Sequence, residues 1–435
     1  MASRIRLCLL LCCAFLSLPA FCQAGPQSGV GASASPASAL PATALPATAS
    51  STPALPSDAV EVEQEIQQLE AMLPQVPDRG PVLFLIAHEY AHLGRMDKAL
   101  SRLRDCLALD EGFDPEEDDV FAALKADPEF NKLLRRVHRR YPAVHRARVA
   151  FTVQENDLIP EGLAANGSSV LYMGGLNRRK IVRIAQDGRV SDFVKEGQYK
   201  LASICGLKVE PANGGLWANT CPDSGSGAEL LHFDGSGKLT ERYSPPTAGK
   251  HLFNDLALRS DREIFLTDSL ANRVYKFDRA AHAFAEISLY RPIFYPNGIA
   301  LSGDGNLLYV ADAFGLVQVD LRDKSSSEVV AGTANTVSGA DGLYWYKNSL
   351  VAVQNSLGSS RVAQFHLSPD GRKVVSTAVL EYRSPLVQKP TTGAIVGSKF
   401  YFMSNTGLDN FKDEKIQDSS KLQPVKISVV ELQGS

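Results

Sequence analysis

Beyond residue 149 the apolar positions fall in pairs of short runs, each pair broken by turn residues. The clearest unit is 295–312. Ile299 and Leu301 lie in a first apolar run, Ser302-Gly303-Asp304-Gly305 supplies a turn, and Leu307, Leu308, Val310 and Ala311 follow. Those four turn residues tolerate the backbone of a tight hairpin. The next stretch, 316–321, alternates: Val317, Val319 and Leu321 on one side, Gln318 and Asp320 on the other, the period of a half-buried strand. Asn297 stands before the first run and Asp312 ends the second. A hairpin brings both to one end of the unit.

The same pattern recurs with a period of about forty-five residues, in the range of propeller blades. Its hairpins open at Glu161-Gly162-Leu163, Cys205-Gly206-Leu207, Asn254-Asp255-Leu256, Asn297-Gly298-Ile299, Asp341-Gly342-Leu343 and Thr392-Gly393-Ala394. Six repeats of about four strands predict an all-β six-bladed β-propeller. A strand over 148–153 is expected to pair with 425–432 and close the ring, leaving no free edge.

Before the repeats the period changes to that of helices. Val62, Ile66, Leu69 and Leu73 form one stripe after Asp58, a candidate cap, and Pro74 ends it. Helices follow over 81–94 and 96–109, where Ala87, Tyr90, Gly94, Ala99, Leu103 and Cys106 have tetratricopeptide-like spacing. Another opens at Asp127-Pro128. A small α-helical module of this kind packs on its neighbour or binds a protein partner. It also contains His88-Glu89-Tyr90-Ala91-His92, the H-E-x-x-H pattern of zinc hydrolases. No third-ligand pattern follows it, and the repeat already accounts for that helix.

Composition then sets the compartment. Arg4 and Arg6 precede an apolar run over 7–21, and small residues follow around Ala24. This predicts a signal peptide over 1–24, export to a periplasm or the cell exterior, and no membrane span after cleavage. Residues 25–57 carry no charge and are rich in Ala, Pro, Ser and Thr, the composition of a disordered linker. The helical module then takes 58–145 and the propeller 146–435. A net charge of −3 with 21% charged residues gives no case for nucleic-acid binding. Four of the seven cysteines leave with the signal; Cys106, Cys205 and Cys221 remain. Cys205 and Cys221 bracket one hairpin and are expected to form a disulfide in an oxidising compartment, the alternative being two separate buried thiols.

One column carries the chemistry. The residues heading the six inner strands are Glu161, Cys205, Asn254, Asn297, Asp341 and Thr392. Two carboxylates and two amides converging on an axis suit a hard divalent cation, calcium first, with zinc, magnesium or manganese as alternatives. The competing explanation is that each Asn or Asp makes only a local turn.

Pro160-Glu161-Gly162, Phe253-Asn254-Asp255, Tyr295-Pro296-Asn297-Gly298-Ile299 and Ala340-Asp341-Gly342-Leu343 resemble motifs of the senescence marker protein/gluconolactonase (regucalcin-like) family of six-bladed propellers. The resemblance covers about residues 150 to 432. It implies a catalytic divalent metal in the central channel and hydrolysis of lactones or related esters. It assigns metal binding to Glu161, Asn297 and Asp341, and substrate or metal contact to Asn254. Sugar lactonases of the family carry an arginine where this chain has Leu252, which leaves the substrate open. By this reading Asp341 orients or deprotonates the attacking water, and His251 is a candidate substrate contact or base. No Gly-x-Ser-x-Gly elbow is present, which disfavours a serine esterase. The alternative function is a non-catalytic binding protein: a propeller and helical module around a structural metal.

Overall fold

The computed structural model describes residues 58–434 except 75, 77, 261, 333, 334 and 357. The signal peptide and linker expected over 1–57 lie outside the described residues. Strands fill the chain from Val144–His145 to Val425–Glu431 and form a six-bladed β-propeller. Blades 1 to 4 are four-stranded antiparallel sheets built in chain order, with inner strands Pro160–Ala165, Ile204–Val209, Phe253–Leu258 and Ile299–Leu301. Blade 5 starts with Ala340–Tyr346 and gains the short strands Val144–His145 and Val330–Ala331 on Lys373–Tyr382. Blade 6 takes three strands from the end of the chain, and Arg148–Val153 supplies its outer edge by pairing with Val425–Glu431. That pairing closes the ring, as the repeat pattern requires. Apolar layers between successive blades hold it, for example Phe265, Ile299 and Val310 between blades 3 and 4.

Among the described residues four α-helices precede the ring: α1 (Ala59–Met72), α2 (Gly80–His92), α3 (Met96–Ala108) and α4 (Pro128–Arg140). The carboxylate of Asp127 caps α4 through the amides of Glu129 and Phe130. Asp58 does not cap α1 with its side chain; its carboxylate lies 3.2 Å from His92 Nε2. Helix α2 differs from the rest. Pro81, Val82, Leu83, Phe84, Ile86 and Ala87 are buried and Leu85 is half-buried, so the first half of the helix is covered on most sides. One side packs on α1 and α3. Its other apolar side chains join a single cluster that continues into the propeller through Ile159, Leu176, Leu252, Leu270, Tyr295 and Phe314.

The helical module is fastened to blade 5 by its backbone. Thr336 N donates to Glu111 O (2.9 Å), Ser359 N to Asp114 O (2.7 Å) and Arg361 Nη1 to Gly112 O (3.3 Å). A Cβ on Gly358 would lie 1.8 Å from Asp114 O, so only glycine allows that approach. Asp114, fully buried, also accepts from Tyr382 Oη (2.7 Å) and lies 3.2 Å from His138 Nε2, while Arg383 reaches Glu116 (2.7 Å).

Candidate functional site: the polar ring at one end of the channel

The starts of the six inner strands meet in one ring, and the ring can be followed by its contacts. Thr392 Oγ1 of blade 6 donates to Glu161 O of blade 1 (2.5 Å). A Cβ on Gly162 would sit 1.8 Å from Cys205 O of blade 2. Asn219 Nδ2 of blade 2 donates to Asp255 O of blade 3 (3.1 Å), and Thr267 Oγ1 of blade 3 to Asn297 O of blade 4 (2.7 Å). Asn297 Nδ2 donates to Asp341 Oδ1 of blade 5 (2.6 Å), and Asn355 Nδ2 of blade 5 to Pro390 O (2.9 Å), next to blade 6. Glu161, Asn254, Asn297 and Asp341 are all buried in this ring.

A local irregularity sets Glu161, Asn254 and Asp341 apart from their strands, while Asn297 lies just before its strand begins. The ladder slips at Glu161 between Pro160 and Gly162, at Asp341 between Ala340 and Gly342, and between Phe253 and Leu256 around Asn254. A bulge of this kind breaks the in–out alternation and re-aims a side chain. The glycines that follow most column residues let neighbouring blades approach closely enough to form the ring.

Around Asp341 the hydrogen bonds are specific. Its two oxygens accept from two amides, Asn297 Nδ2 at 2.6 Å and Asn355 Nδ2 at 2.5 Å. With Nδ2 committed to Asp341, the Asn297 Oδ1 is buried and has no hydrogen-bond partner. Asn254 is held by Ser269, whose hydroxyl accepts from Nδ2 (3.0 Å) and donates to Pro296 O (2.6 Å). An all-oxygen set with an unsatisfied amide oxygen fits a hard cation, since an isolated buried acceptor costs about 1–3 kcal/mol.

His251 has a different place. Its Nδ1 meets Asp268 Oδ2 at 2.6 Å and its Nε2 meets Thr247 O at 2.9 Å. The Asp268 carboxylate and the Thr247 carbonyl accept, while the Thr247 hydroxyl, 3.4 Å from Nε2, can donate or accept, so both ring nitrogens are engaged. The Asp268 bond raises the imidazole pKa against the opposing effect of burial. With both ring nitrogens engaged by Asp268 and Thr247, His251 braces its loop. The same Asp268 accepts from Leu252 N (3.0 Å). Cys205 and Cys221 are joined in a disulfide with Cα atoms 5.8 Å apart, and Cys106 is free and buried.

Asn355, a polar strand end that the sequence offers either as support for the column or as a turn residue, positions Asp341, and Ser269, which positions Asn254, is a residue that sequence reasoning did not single out. Of the four polar strand ends Asp268, Asp312, Asn355 and Asn405, only Asn355 bonds a column residue. Asp312 binds Arg291 (2.6 Å) and Asn405 binds the backbone at Pro424 and Lys426.

Above the ring lies the helical module. The residues two places before the column in blades 1, 3 and 4 are Ile159, Leu252 and Tyr295, and all three join the apolar cluster of the helices. Leu252 is therefore a packing residue of that cluster. Between the layers is a cavity of about 30 Å³ walled by Pro81, Phe84 and Phe113 on one side and Asn297, Asp312 and Ser338 on the other. That space suits an ion or a water or two. The all-apolar run in α2 was the available signal for this cover.

The H-E-x-x-H pair does not converge. His92 bonds Asp58, and His88 meets Glu89 Oε1 at 3.1 Å and Asp118 at 3.9 Å. Asp114, Glu116 and His138 are the group of three acidic or histidine ligands that lie together among the described residues. Arg383 stands against the same carboxylates, which makes the group part of the docking ion network. Among the described residues no helix is long and apolar enough to cross a membrane.

No protein-family model matches this chain, and no curated relative matches it. Solved structures with similar folds include a virginiamycin B lyase from Staphylococcus aureus (14% identity, 66% of this chain and 99% of that one, TM-score 0.46). A Xanthomonas campestris gluconolactonase gives 15% identity, 67% and 97% coverage and a TM-score of 0.46. A PQQ-bound aldose sugar dehydrogenase from Streptomyces coelicolor gives 12%, 66%, 99% and 0.46. At these identities and scores the likenesses assign no chemistry, and the six blades are read from the strands themselves: the chain is a six-bladed β-propeller with N-terminal helices packed over one end of its channel.

Proposed function

We propose that this is an exported, divalent-cation-dependent hydrolase of lactones or esters, with its reacting centre at the ring of Glu161, Asn254, Asn297 and Asp341. The observation that carries the reading is the Asn297 amide: Nδ2 clamps Asp341 while Oδ1 is buried without a donor. Glu161, Asn254, Asn297 and Asp341 would hold the cation, calcium first. When bound it would polarise a carbonyl oxygen and stabilise the negative charge that develops there. Asp341 would take the proton of the attacking water, oriented for that by its two amide donors. The apolar cover over the ring would exclude solvent, and a substrate would enter only with the helical module displaced.

The test is calcium binding by calorimetry, joined to a panel of aldonolactones, simple γ- and δ-lactones and aryl esters. Turnover abolished by chelator and restored by calcium, with binding lost in Asn297→Ala, supports the reading. A folded protein that neither binds calcium nor turns over any member of the panel overturns it.

The covered mouth favours a second reading, a non-catalytic binding protein whose cation is structural and whose helical module meets a protein partner. Arg383→Glu separates the two, because it places a third carboxylate beside Asp114 and Glu116. A hydrolase gated by its cover gains turnover in this variant. A structural site gains none.

A further inference from the structure

The opposite end of the channel holds a second concavity that the hydrolase reading does not use. The column residues sit at the starts of the inner strands. Val209, Leu258, Leu301 and Ile395 lie at or near their finishes and, with Trp345, wall a cavity of about 490 Å³. That volume is in the range of small-molecule sites.

Its charged lining is unequal. Glu210 is buried and bound by His232 Nε2 (3.0 Å) and Arg279 Nη1 (3.2 Å), and Arg259 is paired with Glu263 (3.2 Å). Lys208 is different. Its ammonium lies 3.1 Å from Asp255 Oδ1 and 5.2 Å from the centre of the Tyr344 ring. Asp255 does not depend on it alone, because Leu256 N (2.8 Å) and Ile299 N (3.4 Å) also donate to that carboxylate. Tyr344 is fixed by its hydroxyl, which accepts from Gly393 N (2.6 Å). An ammonium carries three N–H donors, and among the described residues Asp255 takes the one hydrogen bond seen. A widening channel would by itself explain a pit. It does not explain a cation steadied by an aromatic face at the base of apolar walls.

We propose that this cavity is a binding site for a small carboxylate with an apolar body, its carboxylate on Lys208 and its body against Leu258, Leu301 and Trp345. The proposal does not depend on any turnover at the polar ring.

The probe is 3-phenylpropionate, compared by calorimetry with 3-phenyl-1-propanol, which has the same apolar body without the charge. The full mature chain is expected to bind the carboxylate at least tenfold tighter than the alcohol. Lys208→Met should erase that difference and leave the alcohol unchanged. Leu301→Glu, at a partly exposed wall position, should weaken the carboxylate by a similar factor and serves if loss of Lys208 unsettles Asp255. Of the chain's two tryptophans, Trp217 is fully buried and Trp345 lines the cavity, so binding should change emission in wild type and not in Trp345→Phe. Equal affinity for both probes, carboxylate binding untouched by Lys208→Met and Leu301→Glu, or no saturable binding would each overturn the proposal.

Discussion

The two ends of the channel are made from the starts and the finishes of the same six strands, yet they differ in almost every respect. At the starts the side chains are polar and buried, the blades bond to one another in a ring, and apolar helices lie above them. At the finishes the walls are apolar, one ammonium faces the cavity, and none of the described helices lines it. The difference teaches that polarity in a channel does not follow exposure. The polar ring is buried because bulges and glycines let its members satisfy one another. Asn297 Oδ1 and Asn219 Oδ1 are exceptions, buried there without a hydrogen-bond partner.

The comparison breaks most easily at the cover. Phe84→Ala removes a buried ring from the interface and is expected to cost about 3–5 kcal/mol of the module's stability. Limited proteolysis should then cut the helices first while the blades resist. Uniform resistance would show that the cover does not depend on that contact.

Next is the ring itself. Asp341→Ala leaves the amides of Asn297 and Asn355 without their carboxylate. It should lower stability to urea by about 2–3 kcal/mol and calcium affinity by two orders of magnitude or more. A variant as stable as wild type would mean that the two amides find other acceptors.

The junction beneath the cover has two carboxyls that titrate in opposite senses. Burial, and then Asp78 beside it, push Glu111 up to about 8 from 4.5. The folded state thus prefers the protonated form, and stability falls as pH rises from about 4.5 to about 8. Glu111→Gln should flatten that slope and raise the melting temperature at pH 8, an effect on the order of 1 kcal/mol after allowance for its partial exposure. Asp114 runs the other way. Burial would raise its pKa, but hydrogen bonds from His138, Tyr382 and Glu116 N outweigh it and hold the carboxyl below 3.8. Its contribution is present above that value and is lost as pH falls below it.

The smallest expected effect is at His251, whose pKa is raised from 6.5 chiefly by Asp268. Its bond stabilises the fold fully below pH 6.5, and the contribution fades as pH rises through the raised value. His251→Gln should therefore cost about 1 kcal/mol at pH 6 and progressively less above it. A cost that does not vary with pH would mean that the imidazole is not charged in the fold.

Much of this architecture is written locally. The alternation over 316–321, the six hairpin starts, five of them marked by a glycine, and the helical stripe over 62–73 each depend on neighbours in sequence, so the blades and helices are legible without coordinates. The column is legible too, because it falls at one register of a repeat. What the sequence could not determine is which polar groups face which. His251 and Asn297 both precede inner strands and look equally available, but the fold places His251 between two acceptors and leaves Asn297 with a free oxygen. Leu252 looks like a lost contact in one dimension and is a packing residue in three, because it joins the apolar cluster that also holds the N-terminal helices. Local order follows from short-range periodicity. The cover, the ring's hydrogen bonds and the second cavity follow from contacts between distant segments, which only the closed propeller brings together.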